Sequence, residues 1–196
     1  MQEFITLDGV IQGPGGADED VEGGFEFGGW QQDYERHGPE DTDLIAEWES
    51  RTEGLLLGRK TYNIWLGAWA VWDEKAEGLM GEFTRRYNRV PKYVASRTLT
   101  DLPWANSHSL EPDVATAVAR LRAQRGGEIR VWGSADLVRT LAEHDLVDEY
   151  RLVVYPIVLG TGKKLFPDGL RMQRLELAES RALASGVVVN VYRRNR

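Results

Sequence analysis

Eight residues, Ile129-Arg130-Val131-Trp132-Gly133-Ser134-Ala135-Asp136, constrain this chain more than any other stretch. Ile129 to Trp132 reads as a short strand, and Leu137, Val138 and Leu141 then recur at helical spacing. Between them stand Gly133, which has no Cβ, and Ser134, a natural helix N-cap. A strand that passes through a glycine turn into a helix aims unpaired N–H groups, and the positive end of the helix dipole, at one spot. Such a spot suits a phosphate. The same residues also suit an ordinary β-to-α turn with a capping serine.

Two further stretches of this type favour the phosphate reading. Leu55-Leu56-Leu57 is a continuous apolar run, as expected of a strand covered on both faces, and it leads directly into Gly58-Arg59-Lys60-Thr61. Arg59 can grip a phosphate with two parallel N–H bonds, and Thr61 can add a hydroxyl contact. Cations at a helix start oppose the dipole, so a purely structural reason for the Arg-Lys pair is the weaker one. The third stretch is Lys92-Tyr93-Val94-Ala95 followed by Ser96-Arg97-Thr98, a strand end carrying hydroxyls and a cation; by itself it also reads as a polar turn. In an open α/β sheet, ligands bind outside the carboxyl ends of the strands. One extended, phosphate-bearing ligand would satisfy all three ends, and a dinucleotide with an added ribose phosphate fits better than a single phosphate. No Gly-x-Gly-x-x-Gly follows the first strand, so a Rossmann fold is not expected.

The rest of the chain is consistent with a single α/β domain over residues 1–196. Phe4 to Ile11 reads as a short strand broken at Asp8-Gly9. A Gly- and acid-rich loop at 12–30 follows, long enough to suggest a lid or binding loop, with Phe25, Phe27 and Trp30 packing over something apolar. Leu44, Ile45 and Trp48 mark one face of a helix over 41–51, with Asp43, Glu47 and Glu49 mostly on other faces and Gly54 placed to end it. Tyr62, Trp65, Trp69 and Trp72 read mainly as packing. A helix is expected to end before Pro91, residues 101–109 to be loop, and a helix with core face Val114, Val118 and Leu121 to end at Gly126-Gly127. A strand over 148–156, the loop Val158 to Lys164, and an antiparallel pair turning at Ser185-Gly186 complete the pattern.

Composition excludes several functions. With a formal charge of −7, general binding to nucleic acid or anionic membrane is disfavoured, although a local cluster can still hold one small anion. There is no cysteine, which removes disulfides and thiol chemistry; His37, His108 and His144 are far apart in sequence and suggest no metal site. With neither a basic-then-apolar leader nor an apolar run near roughly 18 residues, a cytoplasmic protein is expected.

The ordered set Leu55 to Thr61, Val94 to Thr98 and Val131 to Ala135 resembles the dihydrofolate reductase-like superfamily. It is closest to the branch of the C-terminal reductase domain of the bifunctional riboflavin-biosynthesis protein. Leu7-Asp8-Gly9-Val10 and Pro156 to Gly162 fit that branch too, so the resemblance spans nearly the whole chain. It implies a three-layer α/β sandwich with a mostly parallel central sheet, helices on both faces and a C-terminal antiparallel hairpin. It further implies NADPH as cofactor and a homodimer. By that resemblance, Gly58, Arg59, Lys60 and Thr61 hold cofactor phosphates, Ser96, Arg97 and Thr98 face the adenosine ribose phosphate, and Gly133, Ser134, Ala135 and Leu137 line the pyrophosphate. The riboflavin reductases would place a lysine shortly after the Asp-Gly pair and a glutamate before the glycine turn. Here those places hold Val10 and Trp132, which separates the fold and cofactor from the pyrimidine substrate.

Hydride transfer is the cofactor's chemistry, and the protein supplies orientation, a proton path and exclusion of water. A carboxylate with a raised pKa can relay the proton; Asp8 and Asp43 are the first candidates, with Asp33 and Glu47 behind them. Asp8 also reads as an Asx turn at a strand break. Trp30 and Leu159 are the expected substrate contacts. The expected function is an NADPH-dependent reductase of a small, pterin- or pyrimidine-like heterocycle. The alternatives are a nucleotide-binding or regulatory module without catalysis, or a dimeric scaffold with an empty pocket.

Overall fold

A computed structural model describes residues 1–35, 40–110, 112–124 and 126–195. In chain order the elements begin with β1 (Gln2–Thr6), α1 (Gln32–Glu35), α2 (Glu40–Ser50), β2 (Thr52–Gly58), α3 (Arg59–Ala68), α4 (Gly78–Arg89) and β3 (Lys92–Ala95). They continue with β4 (Ser107–Ser109), α5 (Val114–Ala123), β5 (Glu128–Val131), α6 (Ala135–Glu143), β6 (Glu149–Tyr155), β7 (Leu175–Ala182) and β8 (Val188–Arg194). The chain is mixed α/β, with a parallel sheet and a C-terminal antiparallel pair, as the sequence implies. Contacts divide it into two compact units, Met1–Asp43 with Val138–Arg196, and Leu44–Leu137.

The first unit is built on a four-stranded sheet in the order β1-β6-β8-β7. β1 and β6 run parallel, whereas β8 is antiparallel to both β6 and β7. Val189 and Val191 of β8 are buried, so this strand lies inside the sheet, and β7 is the exposed edge. Gly186 takes φ +85° in the turn between them. β1 stops at Thr6, earlier than the apolar run suggests, because Gly9 turns the chain at φ +88°; Val10 then makes an isolated bridge to Lys164.

The glycine-rich loop of this unit is tied down along its length. Gly29 N–H donates to the Gly13 carbonyl at 2.7 Å, which closes its base. The Gln12 amide donates to the carbonyls of Asp20 and Glu22, and Lys163 pairs with both acids, at 2.7 Å to Glu22. Lys163 binds the loop from the 160–164 turn, so the two glycine-bearing segments of the sequence form one structure. Between them lies a cavity of about 340 Å³ lined by Gln12, Glu22, Phe25, Thr161, Gly162 and Lys163.

The second unit has an all-parallel sheet in the order β4-β3-β2-β5. Leu55, Leu56 and Leu57 are buried in β2, which has partners on both sides, so the continuous apolar run is explained. From β2 the chain passes outward to β3 and β4, and α5 then returns it to the other side of β2 as β5. The direction of travel therefore reverses beside β2, the place where open α/β sheets bind ligands. α5 is capped by Asp113, whose carboxylate accepts the Thr116 N–H at 3.1 Å.

Three expectations are corrected here. Gly54 does not end α2; it lies inside β2 at a register shift, and the helix stops at Ser50. Residues 107–109 are the short strand β4 rather than loop, paired in parallel with β3. α5 ends at Ala123, with Gln124 already extended, before the glycine pair.

Lys92, at the start of β3, is buried and forms no ion pair among the described residues. Its ammonium donates to the carbonyls of Asn88, Val90 and Ala105 and sits 4.7 Å from the Trp104 ring centre. Burial pushes it down from 10.5 to about 8. Between those values the unfolded chain holds a proton that the folded one has lost, so folding stability rises with pH across that interval. Chemical denaturation from pH 8 to 10.5 should show this rise in the native protein and a flatter profile in Lys92→Met.

Candidate functional site

The parallel register brings the three turns together. Gly58 pairs with Ala95, so Arg59–Thr61 and Ser96–Thr98 begin side by side. Leu56 pairs with Val131, which places Gly133 level with the end of β2 on its other flank. Three neighbouring strands thus release their carboxyl ends on one edge of one sheet. With strands about 4.8 Å apart, the edge spans roughly 10 Å, wider than a single phosphate.

Ser134 fastens two of these turns. Its Oγ accepts the Gly58 N–H at 2.9 Å and lies within donating distance of Thr61 Oγ1, at 2.9 Å, and of the Trp132 carbonyl, at 3.1 Å. The approach leaves little room for a side chain at either glycine. A Cβ at Gly58 would stand 3.1 Å from Ser134 Oγ, and one at Gly133 would stand 3.0 Å from Thr61 Oγ1. Gly133 and Ser134 both take left-handed backbone, φ +53° and +62°. For serine this conformation costs about 1–2 kcal/mol, and such outliers cluster at ligand clamps. Ser134 is consequently not the N-cap that its position suggests: its hydroxyl turns back to β2.

The two helices that leave this edge differ. α6 has an acid, Asp136, in its first turn. α3 has none, has no side-chain cap, and begins with Arg59 and Lys60. Arg59 is exposed and forms no ion pair among the described residues; the same holds for Arg97 at the end of β3. α3 is therefore the better anion end. Thr61 is buried, with its hydroxyl 2.9 Å from that of Ser134. Ser96 forms a local turn, its Oγ accepting the N–H of Thr98 at 3.2 Å and of Leu99 at 2.9 Å. Leu137 is buried, so its side chain belongs to packing rather than to a ligand surface.

The expected catalytic and substrate residues are placed differently. Asp8 belongs to the first unit, where its carboxylate accepts the Thr6 hydroxyl at 2.6 Å, the Leu159 N–H at 3.2 Å and the Gly160 N–H at 2.8 Å. Burial works to raise its carboxyl, but these three hydrogen bonds outweigh it and hold the group below the ordinary 3.8. A carboxylate so stabilised is a poor proton donor near neutrality; it fixes the 159–160 turn against the end of β1. The sign gives a test: the Asp8 contribution is complete above 3.8 and fades as pH falls through its lowered value. Asp8→Asn should therefore lower Tm at neutral pH, with the difference from the native protein shrinking in acid.

Trp30 is 6% exposed, its indole N–H donates to the Gln12 carbonyl at 2.8 Å, and its ring meets Tyr155 edge-on. Its ring therefore packs inside the first unit instead of offering a face to a heterocycle. Leu159 is half-buried and held by Asp8. Asp43 and Glu47 are exposed on α2, Glu47 beside Arg51 at 3.8 Å. His37 and the side chain of Asp33 lie outside the described residues.

The carboxylate that the sequence concealed is Glu49. It is completely buried, accepts the Thr52 hydroxyl at 3.0 Å and the Trp132 indole N–H at 3.1 Å, and faces Arg130 at 3.5 Å. Tyr87 is hydrogen-bonded to it; burial first, then the Glu49 charge, push that phenol well above its ordinary 10.0. Glu49 stands four residues after Ile45, on the apolar side of α2, and Arg130 interrupts an apolar strand. Those two positions were the available signal.

A family model for the RibD C-terminal domain matches residues 1–189. The chain belongs to this family. Among curated proteins it is 30% identical over 195 residues to the uncharacterized protein YyaP of Bacillus subtilis (strain 168), covering 97% of this chain and 92% of that protein. It is 23% identical over 189 residues to YwjB of the same organism, covering 96% and 94%. A solved structure from Shewanella sp. PV-4, assigned by name to riboflavin biosynthesis, superposes with a TM-score of 0.70 at 22% identity over 100% of this chain and 97% of its own. A pyrimidine reductase-like protein from Corynebacterium diphtheriae gives 0.60 at 14%, over 100% and 90%. The RibD C-terminal fold is thus a reductase-type fold in this chain. Among the described residues no helix is long and apolar enough to cross a membrane.

Proposed function

We propose that this RibD C-terminal domain protein is an NADPH-dependent reductase of a small pterin- or pyrimidine-like heterocycle. The observation that carries the reading is the register of β3, β2 and β5, which sets three polar turns along one sheet edge. The residues present fit the cofactor. Arg59, Lys60 and Thr61 would hold phosphate at the start of α3, Gly133 and Ala135 would admit it closely, and Arg97 with Ser96 and Thr98 would take the ribose phosphate. NADPH supplies the hydride. The chain's own residues bind and orient it: the Ser134 bonds to Gly58 and Thr61 hold two turns at fixed spacing, so the cations act on a preformed edge.

The test is NADPH oxidation with purified protein against pterins, flavin precursors and quinone-like compounds. Turnover with a heterocycle supports the reductase. Binding of NADPH without turnover of any compound supports the alternative, a nucleotide-binding module, which the engagement of Asp8 in a turn favours. The family resemblance also carries a homodimer, and the sequence pattern a cytoplasmic setting; analytical ultracentrifugation tests the first and cell fractionation the second.

A further inference from the structure

Glu49 lies behind the sheet edge, and a continuous chain of hydrogen bonds joins it to the turns. The Trp132 indole N–H donates to Glu49 Oε1 at 3.1 Å. The carbonyl of the same Trp132 lies 3.1 Å from the Ser134 hydroxyl, and that hydroxyl accepts the Gly58 N–H at 2.9 Å. Trp132 is the last residue before the left-handed pair Gly133-Ser134, so whatever fixes its ring also fixes where the turn begins. A buried carboxylate is costly unless its oxygens are engaged, and here one oxygen takes the Thr52 hydroxyl and the other takes the indole and faces Arg130. Glu49 itself is 0% exposed and makes no approach to the surface where a ligand would sit.

We infer that Glu49 is a positioning residue for the nucleotide-binding edge, acting through the Trp132 indole to set the Gly133-Ser134 turn and, through Ser134, the Gly58 end of β2. This inference rests on the reading of that edge as the nucleotide site. The residue before the glycine turn is Trp132, and the carboxylate that its indole engages comes from α2.

The test separates positioning from simple stability. Amide hydrogen exchange in the ligand-free protein reads the Gly58 N–H, which is bonded to Ser134, against the Leu110 N–H, which is bonded to the Val94 carbonyl in the same unit. Trp132→Phe removes the indole donor; Gly58 exchange should quicken about tenfold, the effect of one charge-assisted hydrogen bond, with Leu110 unchanged. Glu49→Gln keeps an oxygen to accept the indole, so Gly58 protection should survive even as the loss of charge opposite Arg130 lowers overall stability. In parallel, the Kd for NADPH should rise about tenfold in Trp132→Phe and much less in Glu49→Gln. The inference is overturned if Trp132→Phe leaves Gly58 exchange unchanged, or quickens Gly58 and Leu110 by the same factor. If the native protein binds no NADPH, the nucleotide reading falls, while the exchange rates still decide whether Glu49 and Trp132 order the turn.

Discussion

Replacing Arg59 and Arg97 together by alanine should weaken NADPH binding by about a hundred- to ten-thousandfold. Each guanidinium is exposed, without an ion pair among the described residues, and each follows the end of a neighbouring parallel strand. A hydrogen bond to a charged group contributes about 1.5–3 kcal/mol, so two such contacts give about 3–6 kcal/mol. Because neither side chain is buried, the fold should be unaffected, and Tm in the absence of nucleotide should stay within about 1 °C, as expected of surface substitutions. Single variants divide the effect. Arg97→Ala should act mainly on NADPH and little on NADH, since only the former carries the extra ribose phosphate; Arg59→Ala should weaken both. Isothermal titration with the two nucleotides reads this directly. An equal loss for both nucleotides in Arg97→Ala would remove that residue from the ribose phosphate.

The second large effect is on stability. Arg130→Met should destabilise the protein by about 3–5 kcal/mol, because it leaves the Glu49 carboxylate buried without its cation. Arg130 also donates to the Trp48 carbonyl at 2.6 Å and pairs with Glu128, so its removal strips one end of β5 of several bonds at once. The double variant Glu49→Leu with Arg130→Met should recover most of that loss, since two apolar side chains leave no charge uncompensated. Urea unfolding measures both. A single variant that costs less than about 1 kcal/mol would mean the pair is reached by water or relaxes around the change.

The sequence made some of this legible and hid the rest for physical reasons. Leu55-Leu56-Leu57 announces a strand covered on both faces, and Gly186 announces a hairpin, because burial and left-handed backbone are each written in single residue types. The partners of a strand are not written that way. That β2 lies between β3 and β5, and that Gly58 meets Ala95, follows from tertiary register, and it is this register that turns three separate polar turns into one edge. Gly54 shows the limit of local rules: it sits where a helix cap is common, yet its backbone is taken by the sheet. Glu49 and Arg130 were hidden because each looks like a surface charge until the other is seen 3.5 Å away. Ser134 stands where a helix cap is common, and only tertiary structure brings its hydroxyl back to Gly58. Asp8 was visible as both an Asx-type turn residue and an acid catalyst. Three hydrogen bonds hold its carboxylate in the turn.

The most direct measurement of the central claim is a crystal structure of the protein soaked with NADPH. The pyrophosphate is expected at the turns Gly58–Thr61 and Gly133–Ala135, with the ribose phosphate at Ser96–Arg97. A nucleotide ordered away from all three turns would contradict a shared binding edge.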